Sequence, residues 1–156
     1  MEIRKAELKE LEQLKWIEQE IIRYERPMAP SLADDPINYY DIAQLIENED
    51  TEVLVAVIEQ EIVGSGYATI KKASNYKKHT HYAYLGFMYV SPEHRGRGIN
   101  GMIVDRLIQW ATSRNISEIQ LEVYASNDAA IRAYHKKDFK PDLISMRLNT
   151  DEGLNK

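Results

Sequence analysis

Between Tyr82 and Arg114 the chain passes from an apolar stretch, through a turn carrying Gly96, Gly98 and Gly101, into an amphipathic helix. No other stretch restricts the fold as much. Tyr82 to Val90 reads as a strand that Pro92 ends, and a helix from about Gly98 to Arg114 puts Ile99, Ile103, Leu107 and Trp110 on one face. The first backbone N–H groups of a helix have no intrahelical partner, and the helix dipole adds to their attraction for an anion. Gly96 and Gly98 lack side chains, so a phosphate can approach that backbone closely, and Arg95 and Arg97 add positive charge beside it. The chemistry expected of this turn is pyrophosphate binding, which several cofactors share.

The flanking patterns define the sheet that feeds the turn. Glu2 to Ala6 reads as a short strand, and Leu8, Leu11, Leu14, Ile17 and Ile21 form one face of a helix that Arg26-Pro27 stops. Pro30, Asp34, Asp35 and Pro36 mark a loop, and Ile42, Leu45 and Ile46 suggest a shorter helix ending near Glu49. Val53 to Ile58 and Ile62 to Ile70, joined by Glu59-Gln60-Glu61, read as a hairpin. Gly64 and Gly66 in its second arm suggest a bulge or a close backbone approach. After the glycine turn and its helix, Ile116 to Tyr124 returns to strand, Asn127 opens a helix ending near Lys137, and Leu143 to Leu148 is expected as a last strand. Hairpin strands followed by alternating helices and strands imply an α/β domain with a mixed sheet and helices on its faces. The expected organisation is a single domain over residues 1–149 and a polar tail over residues 150–156.

Composition removes whole classes of function. A chain of 156 residues, 44% hydrophobic, can bury a core but does not hold two full-sized domains. Its net charge of −5, from 25 acidic against 20 basic residues, argues against a nucleic-acid partner. With no cysteine there is no disulfide, thiolate zinc site or cysteine nucleophile. Met1 to Lys15 is charged throughout, unlike a signal peptide, and no apolar run approaches the ~20 residues that span a bilayer. The expectation is a cytoplasmic protein without membrane association.

Gly96-x-Gly98-x-x-Gly101 also spells the dinucleotide fingerprint, with Glu122 near the next strand about 20 residues on. The context disfavours it, because Ser91 to Arg95 separate strand from glycines and 55 residues follow Gly101. A nucleotide-binding oxidoreductase is therefore the weakest of the readings that the turn permits.

Tyr89-Val-Ser-Pro-Glu-His-Arg-Gly-Arg-Gly-Ile99 resembles the strand and Arg/Gln-x-x-Gly-x-Gly/Ala pyrophosphate loop of the GNAT-type N-acetyltransferases. A second block, Asn127-Asp-Ala-Ala-Ile-Arg-Ala-Tyr-His-Lys-Lys-Asp-Phe139, is similar to that family's Asn-x-x-Ala-x-x-x-Tyr-x-x-x-Gly-Phe segment. The resemblance implies a mostly antiparallel central sheet flanked by helices on both faces, acetyl-coenzyme A as cosubstrate, and no metal. It implies that backbone groups of Met88 and Val90, either side of Tyr89, pair with the pantetheine arm as an added strand would. Arg95, Gly96, Arg97, Gly98, Ile99 and Asn100 would hold the pyrophosphate through backbone N–H groups. Asn127, with Ala130 in the same segment, would lie near the thiol end, and Tyr134 would protonate the departing thiolate. Two positions depart from the pattern: Asn100 stands where the loop has a small residue, and Asp138 where a glycine precedes Phe139.

Acetyl transfer to an amine needs a base, a polarised carbonyl and a proton for the leaving thiolate. Glu122, between Leu121 and Val123 on the strand before Asn127, matches the base of bacterial enzymes that acetylate the N-terminal alanine of a ribosomal protein. Many family members instead pass the proton through water, and both routes stay open here. Tyr24, Tyr39, Tyr40, Tyr82 and Tyr84 fall in segments that line the acceptor side in this family, and Glu25, Asp34 and Asp35 could attract a cationic amine. His79 and His81 share one strand face but lack a carboxylate at ligand spacing. The acceptor is expected to be an amine on a small molecule or protein, and family habit makes a homodimer an expectation. The alternative from another class is a non-catalytic acyl-coenzyme A binding module.

Overall fold

The computed structural model describes residues 1–153. In chain order the elements are β1 (Glu2–Lys5), α1 (Leu11–Glu25), α2 (Ile42–Glu47), β2 (Thr51–Ile58), β3 (Glu61–Lys72), β4 (His81–Val90), α3 (Ile99–Ser113), β5 (Ile119–Leu121), α4 (Asp128–His135) and a one-turn α5 (Thr150–Gly153). The strands form one five-stranded sheet in the order β1-β2-β3-β4-β5. The pairs β1–β2, β2–β3 and β3–β4 are antiparallel, and β5 runs parallel to β4. The mixed, mostly antiparallel sheet expected from the sequence is the one observed.

Both faces of the sheet are covered because each strand alternates. Val53, Val55, Tyr67, Phe87 and Tyr89 point to one face and meet Leu14, Ile17 and Ile21 of α1 and Ile42 of α2. Leu54, Ala56, Val63, Ala68 and Leu85 point to the other and meet Ile99, Ile103, Val104 and Leu107 of α3. Each fully buried leucine or isoleucine in these layers contributes about 1.5–3 kcal/mol. The hairpin turn puts Glu59 at φ +48° and Gln60 at φ +70°, the paired positive angles that match the twist of two antiparallel strands. A register shift between Ala56 and Val57 bulges the hairpin at Val63, beside Gly64. The glycines there are needed for close approach: a Cβ on Gly66 would stand 2.7 Å from Met88 Sδ and 2.8 Å from Ile103 Cγ2.

The structure corrects the C-terminal third. The strand expected over Ile116 to Tyr124 pairs only at Ile119–Leu121. Leu143 to Leu148 forms no strand within the chain; Leu143, Ile144, Met146 and Leu148 are 90, 79, 90 and 72% exposed. The alternation that marks this stretch as a strand is real, but a strand needs a partner edge, and none of the chain's own strands takes it. The polar tail expected over residues 150–156 contains α5, and residues 154–156 lie outside the described residues.

Candidate active site

The site is built around a defect in β4. Ser65 lies opposite Tyr89 and Tyr67 opposite Gly86, so β4 carries one residue more than β3 across that interval. The extra residue brings Phe87 to φ +57°, a conformation unfavourable for a bulky side chain. Two side chains hold it there. The Phe87 N–H donates to Tyr40 Oη at 3.3 Å, and Ser65 Oγ donates to the Phe87 carbonyl at 2.8 Å, with Ser65 fully buried. The ladder between β4 and β5 ends just before the bulge, at Leu85 and Leu121. From Gly86 to Val90, β4 therefore pairs with β3 alone, and the backbone of Met88, Tyr89 and Val90 lies along an edge with no strand beside it. Tyr89 turns its ring into the α1 layer, while Met88 and Val90 rest half-buried on the α3 layer.

That open edge leads into the glycine turn. Gly96 and Gly98 have φ +77° and +76°, and a Cβ added to either would find nothing within 4 Å. The backbone is thus bent as only glycine does readily, with free space over it. Gly98 caps α3 and Ile99, 2% exposed, anchors the helix start under the sheet. Arg95 and Arg97 are exposed; Arg95 Nε donates to the Val90 carbonyl at 3.1 Å, and its guanidinium lies 5.5 Å from the Tyr24 ring. Asn100 is half-buried in the first turn of α3. The residues present fit a pyrophosphate-bearing group: a bare backbone cradle at a helix N-terminus, flanked by guanidinium groups. Gly101 has a different task, since a Cβ there would stand 2.8 Å from Lys137 Cε. Lys137 crosses α3 to pair with Asp105 at 2.7 Å, so the third glycine of the apparent dinucleotide fingerprint serves the docking of the segment after α4.

Asn127 caps α4, its Oδ1 accepting from the Ala130 N–H at 3.2 Å, which leaves the amide nitrogen as the atom that could meet a ligand. Tyr134 lies one face further along α4, half-buried with Phe139 at a ring separation of 5.8 Å. Burial, and then the negative charge of Glu25, push its phenol up to about 12. Asp138 takes φ +64° before Phe139, the left-handed turn for which the family pattern has glycine and which aspartate tolerates.

Opposite Tyr134 stands a group of tyrosines with two carboxylates. Glu25 accepts a hydrogen bond from Tyr39 Oη at 2.9 Å, and burial raises its carboxyl above the ordinary range while that bond pulls it back. Its charge reaches Tyr39, Tyr40, Tyr84 and Tyr134. Glu122 is exposed just beyond β5, and its charge reaches Tyr67 and Tyr84. Burial first, and then these charges, raise the Tyr84 phenol well above its usual value. Tyr40 stacks edge-on against Tyr67 and Phe87 at 5.5 Å, which ties the cluster to the bulge.

The remaining sequence candidates separate. Asp35 is neutralised by Arg26 at 2.7 Å, Tyr24 belongs to the glycine turn, and Tyr82 packs against His79. His79 precedes β4 and His81 is exposed at its start; among the described residues no three potential ligands converge on a metal position. Glu18 went unnoticed in the sequence. It is 1% exposed and accepts the N–H groups of Tyr39 and Tyr40, each at 2.7 Å, which positions the tyrosine loop on α1. The signal was present: Glu18 interrupts the apolar face of Leu14, Ile17 and Ile21. Ser65, between Gly64 and Gly66, gave a similar signal as the one aliphatic hydroxyl in the buried run from Ile62 to Ala68.

A free strand edge that leads into a glycine-capped helix can take an extended arm along its backbone and a phosphate at its helix start. The chain belongs to the acetyltransferase (GNAT) family, whose sequence model matches residues 8–139. It is 31% identical to an acetyltransferase of Sodalis glossinidius over 116 residues, 72% of this chain and 76% of that one. It is 33% identical to an acetyltransferase of Pectobacterium atrosepticum over 100 residues, 64% and 65% of the two chains. Among solved structures, a Bacillus halodurans protein solved as a point mutant superposes with TM-score 0.83 at 21% identity, covering 96% of this chain and 99% of that one. A predicted acetyltransferase of Clostridium acetobutylicum, solved with acetyl-coenzyme A, superposes with TM-score 0.75 at 22% identity over 97% of each chain.

Proposed function

We propose that this protein moves an acetyl group from acetyl-coenzyme A to a primary amine on a cationic acceptor, by direct transfer. The observation that carries the reading is the divergence of β4 from β5 after Leu85. Tyr134 packs with the α3 layer, yet it feels the charge of Glu25 from the α1 side, so the gap joins the two halves of the site. Family membership and a solved relative in fold that holds acetyl-coenzyme A support the donor. When bound, the donor supplies a thioester already activated toward amines.

The chain's own residues supply the rest. The free edge at Met88 and Val90 receives the pantetheine arm, and the turn from Arg95 to Asn100, with Ile99 at its helix start, receives the pyrophosphate. Asn127 orients the thiol end through its free amide nitrogen, with Ala130 holding the cap. Glu25 draws the cationic acceptor toward the tyrosines, and Glu122 takes the proton that the amine loses. A backbone N–H near Met88 polarises the carbonyl oxygen, the new C–N bond replaces the C–S bond, and Tyr134 meets the departing sulfur with its proton. Glu25 and Glu122, whose charges both reach Tyr84, favour a cation over a neutral amine. Solved relatives in fold include an aminoglycoside 6'-N-acetyltransferase of Acinetobacter haemolyticus, whose named substrate class is polycationic.

The test is an assay of coenzyme A thiol release with acetyl-coenzyme A and a panel of amines: polyamines, aminoglycosides, amino acids and peptides with free N-termini. Mass spectrometry then checks for one acetyl group on the amine. Turnover is expected for cationic members of the panel and falls as salt is raised. Binding of acetyl-coenzyme A without acetylated product from any amine would overturn the reading in favour of a binding module.

A further inference from the structure

The gap between β4 and β5 has a closed end and an open one. The ladder closes it at Leu85 and Leu121, and the glycine turn lies at the other end, beyond Val90. Gly86 is thus the first β4 residue past the closure. It stands opposite Tyr67 of β3. A Cβ on Gly86 would lie 2.7 Å from Tyr67 Cζ and 2.8 Å from both Cε1 and Oη. The far end of the ring, rather than its root, meets Gly86, so the phenol crosses from β3 over the bare backbone of β4. Any side chain at position 86 would block that path.

The phenol tip faces the gap. Burial raises the Tyr67 phenol above its ordinary value, and the charge of Glu122, which stands beyond β5, raises it further. The ring is also firmly held. Tyr67 is 5% exposed, with Tyr40 edge-on at 5.5 Å and Tyr84 at 6.4 Å. Tyr84 is covered in turn by the Lys71 ammonium, 4.3 Å from its ring centre. A ring packed on these sides yields to an added methylene only at a cost. None of the steps assigned above uses Tyr67.

We propose that the Tyr67 ring is the end wall of the acyl pocket and restricts the donor to a short acyl group, acetyl rather than butyryl. The proposal rests on the functional reading above, in which the turn holds the pyrophosphate and Val90 and Met88 hold the pantetheine arm. An arm laid from the turn along that edge carries its acyl end toward Gly86, where the gap closes. A longer chain meets the ring there. One methylene too many for an apolar pocket is discriminated by about 10–200-fold.

The test is a calorimetric titration with coenzyme A and its acetyl, propionyl and butyryl thioesters, without any amine. Wild type is expected to bind the butyryl thioester about tenfold or more weaker than the acetyl one. Tyr67→Leu keeps an apolar group in the core and removes the ring end, so it should lose most of that difference. Tyr67→Phe keeps the ring and should keep the discrimination. Circular dichroism checks each fold, and the flexible Tyr67→Met takes the place of Tyr67→Leu if the latter does not fold. A change that merely loosened the fold would weaken all four ligands together and leave their ratios alone. A wild type that binds butyryl as tightly as acetyl thioester overturns the proposal. So does a folded Tyr67→Leu or Tyr67→Met with the wild-type ratio. If none of the four ligands binds, the donor reading itself has failed and the wall falls with it; if the acetyl thioester binds, the ratios judge the wall alone.

Discussion

Tyr134, Glu25 and Glu18 show how burial assigns different work to three polar side chains within one small region. Raised to about 12 by burial and by Glu25, the Tyr134 phenol holds its proton throughout the working range. Tyr134→Phe should lower kcat about 100-fold with little change in KM for acetyl-coenzyme A, the usual scale for a lost acid. Steady-state kinetics check this, and the wild-type pH profile should show no alkaline limb from Tyr134 below its ordinary value of about 10. Glu25 shifts upward, chiefly by burial, so the folded chain holds its proton at pH values where the unfolded chain has released it. Stability therefore falls as pH rises from about 4 through that window, because the native state binds more protons there. Denaturant titrations at several pH values should show Glu25→Gln losing this slope and gaining on wild type toward neutrality. Glu18 is structural: Glu18→Ala strands the Tyr39 and Tyr40 N–H groups, at about 3 kcal/mol or more, while Glu18→Gln keeps an acceptor and loses less.

At the scale of elements, the strand, glycine turn and helix were legible because each has its own local signature. Apolar alternation marks β4, Pro92 its end, and the spacing of Ile99, Ile103 and Leu107 the buried face of α3. The bulge at Phe87 was not legible, since nothing about Gly86-Phe87-Met88 marks a left-handed residue. Its conformation is imposed from outside by Tyr40 and Ser65, contacts between residues far apart in sequence. Tyr134 and Asn127 could be picked out by motif, whereas the approach of Glu25 to Tyr134 depends on how α1 crosses the sheet. The strand expected at Leu143 to Leu148 shows the opposite case, a pattern written in the chain but without a partner inside it. Ser65→Ala should test the bulge as a unit. Loss of the Phe87 carbonyl's partner should cost about 1–3 kcal/mol, a fall in Tm of about 2–4 °C for each, and should weaken acetyl-coenzyme A binding more than a remote core change of equal cost.

For the whole molecule, the sheet divides the labour. Among the described residues every buried side chain lies between Ala6 and Ala111, and β5, α4 and the segment after them carry Glu122, Asn127 and Tyr134 on a margin with none. In the proposed reaction the firm part holds the donor, and the margin brings Glu122, Asn127 and Tyr134 to the reacting atoms. The central claim is that the free β4 edge and the glycine turn together receive acetyl-coenzyme A. Its most direct test is the thermal unfolding midpoint of the wild type and of Gly98→Val, each with and without acetyl-coenzyme A, with NADH as control. At about a hundred times its dissociation constant the donor should add about 2.7 kcal/mol to the wild type and raise its Tm by several degrees. Gly98→Val, a β-branched residue forced to φ +76° with its side chain over the cradle, should unfold earlier and show little shift with donor. A wild type that responds to NADH and not to acetyl-coenzyme A, or to neither, would contradict the account.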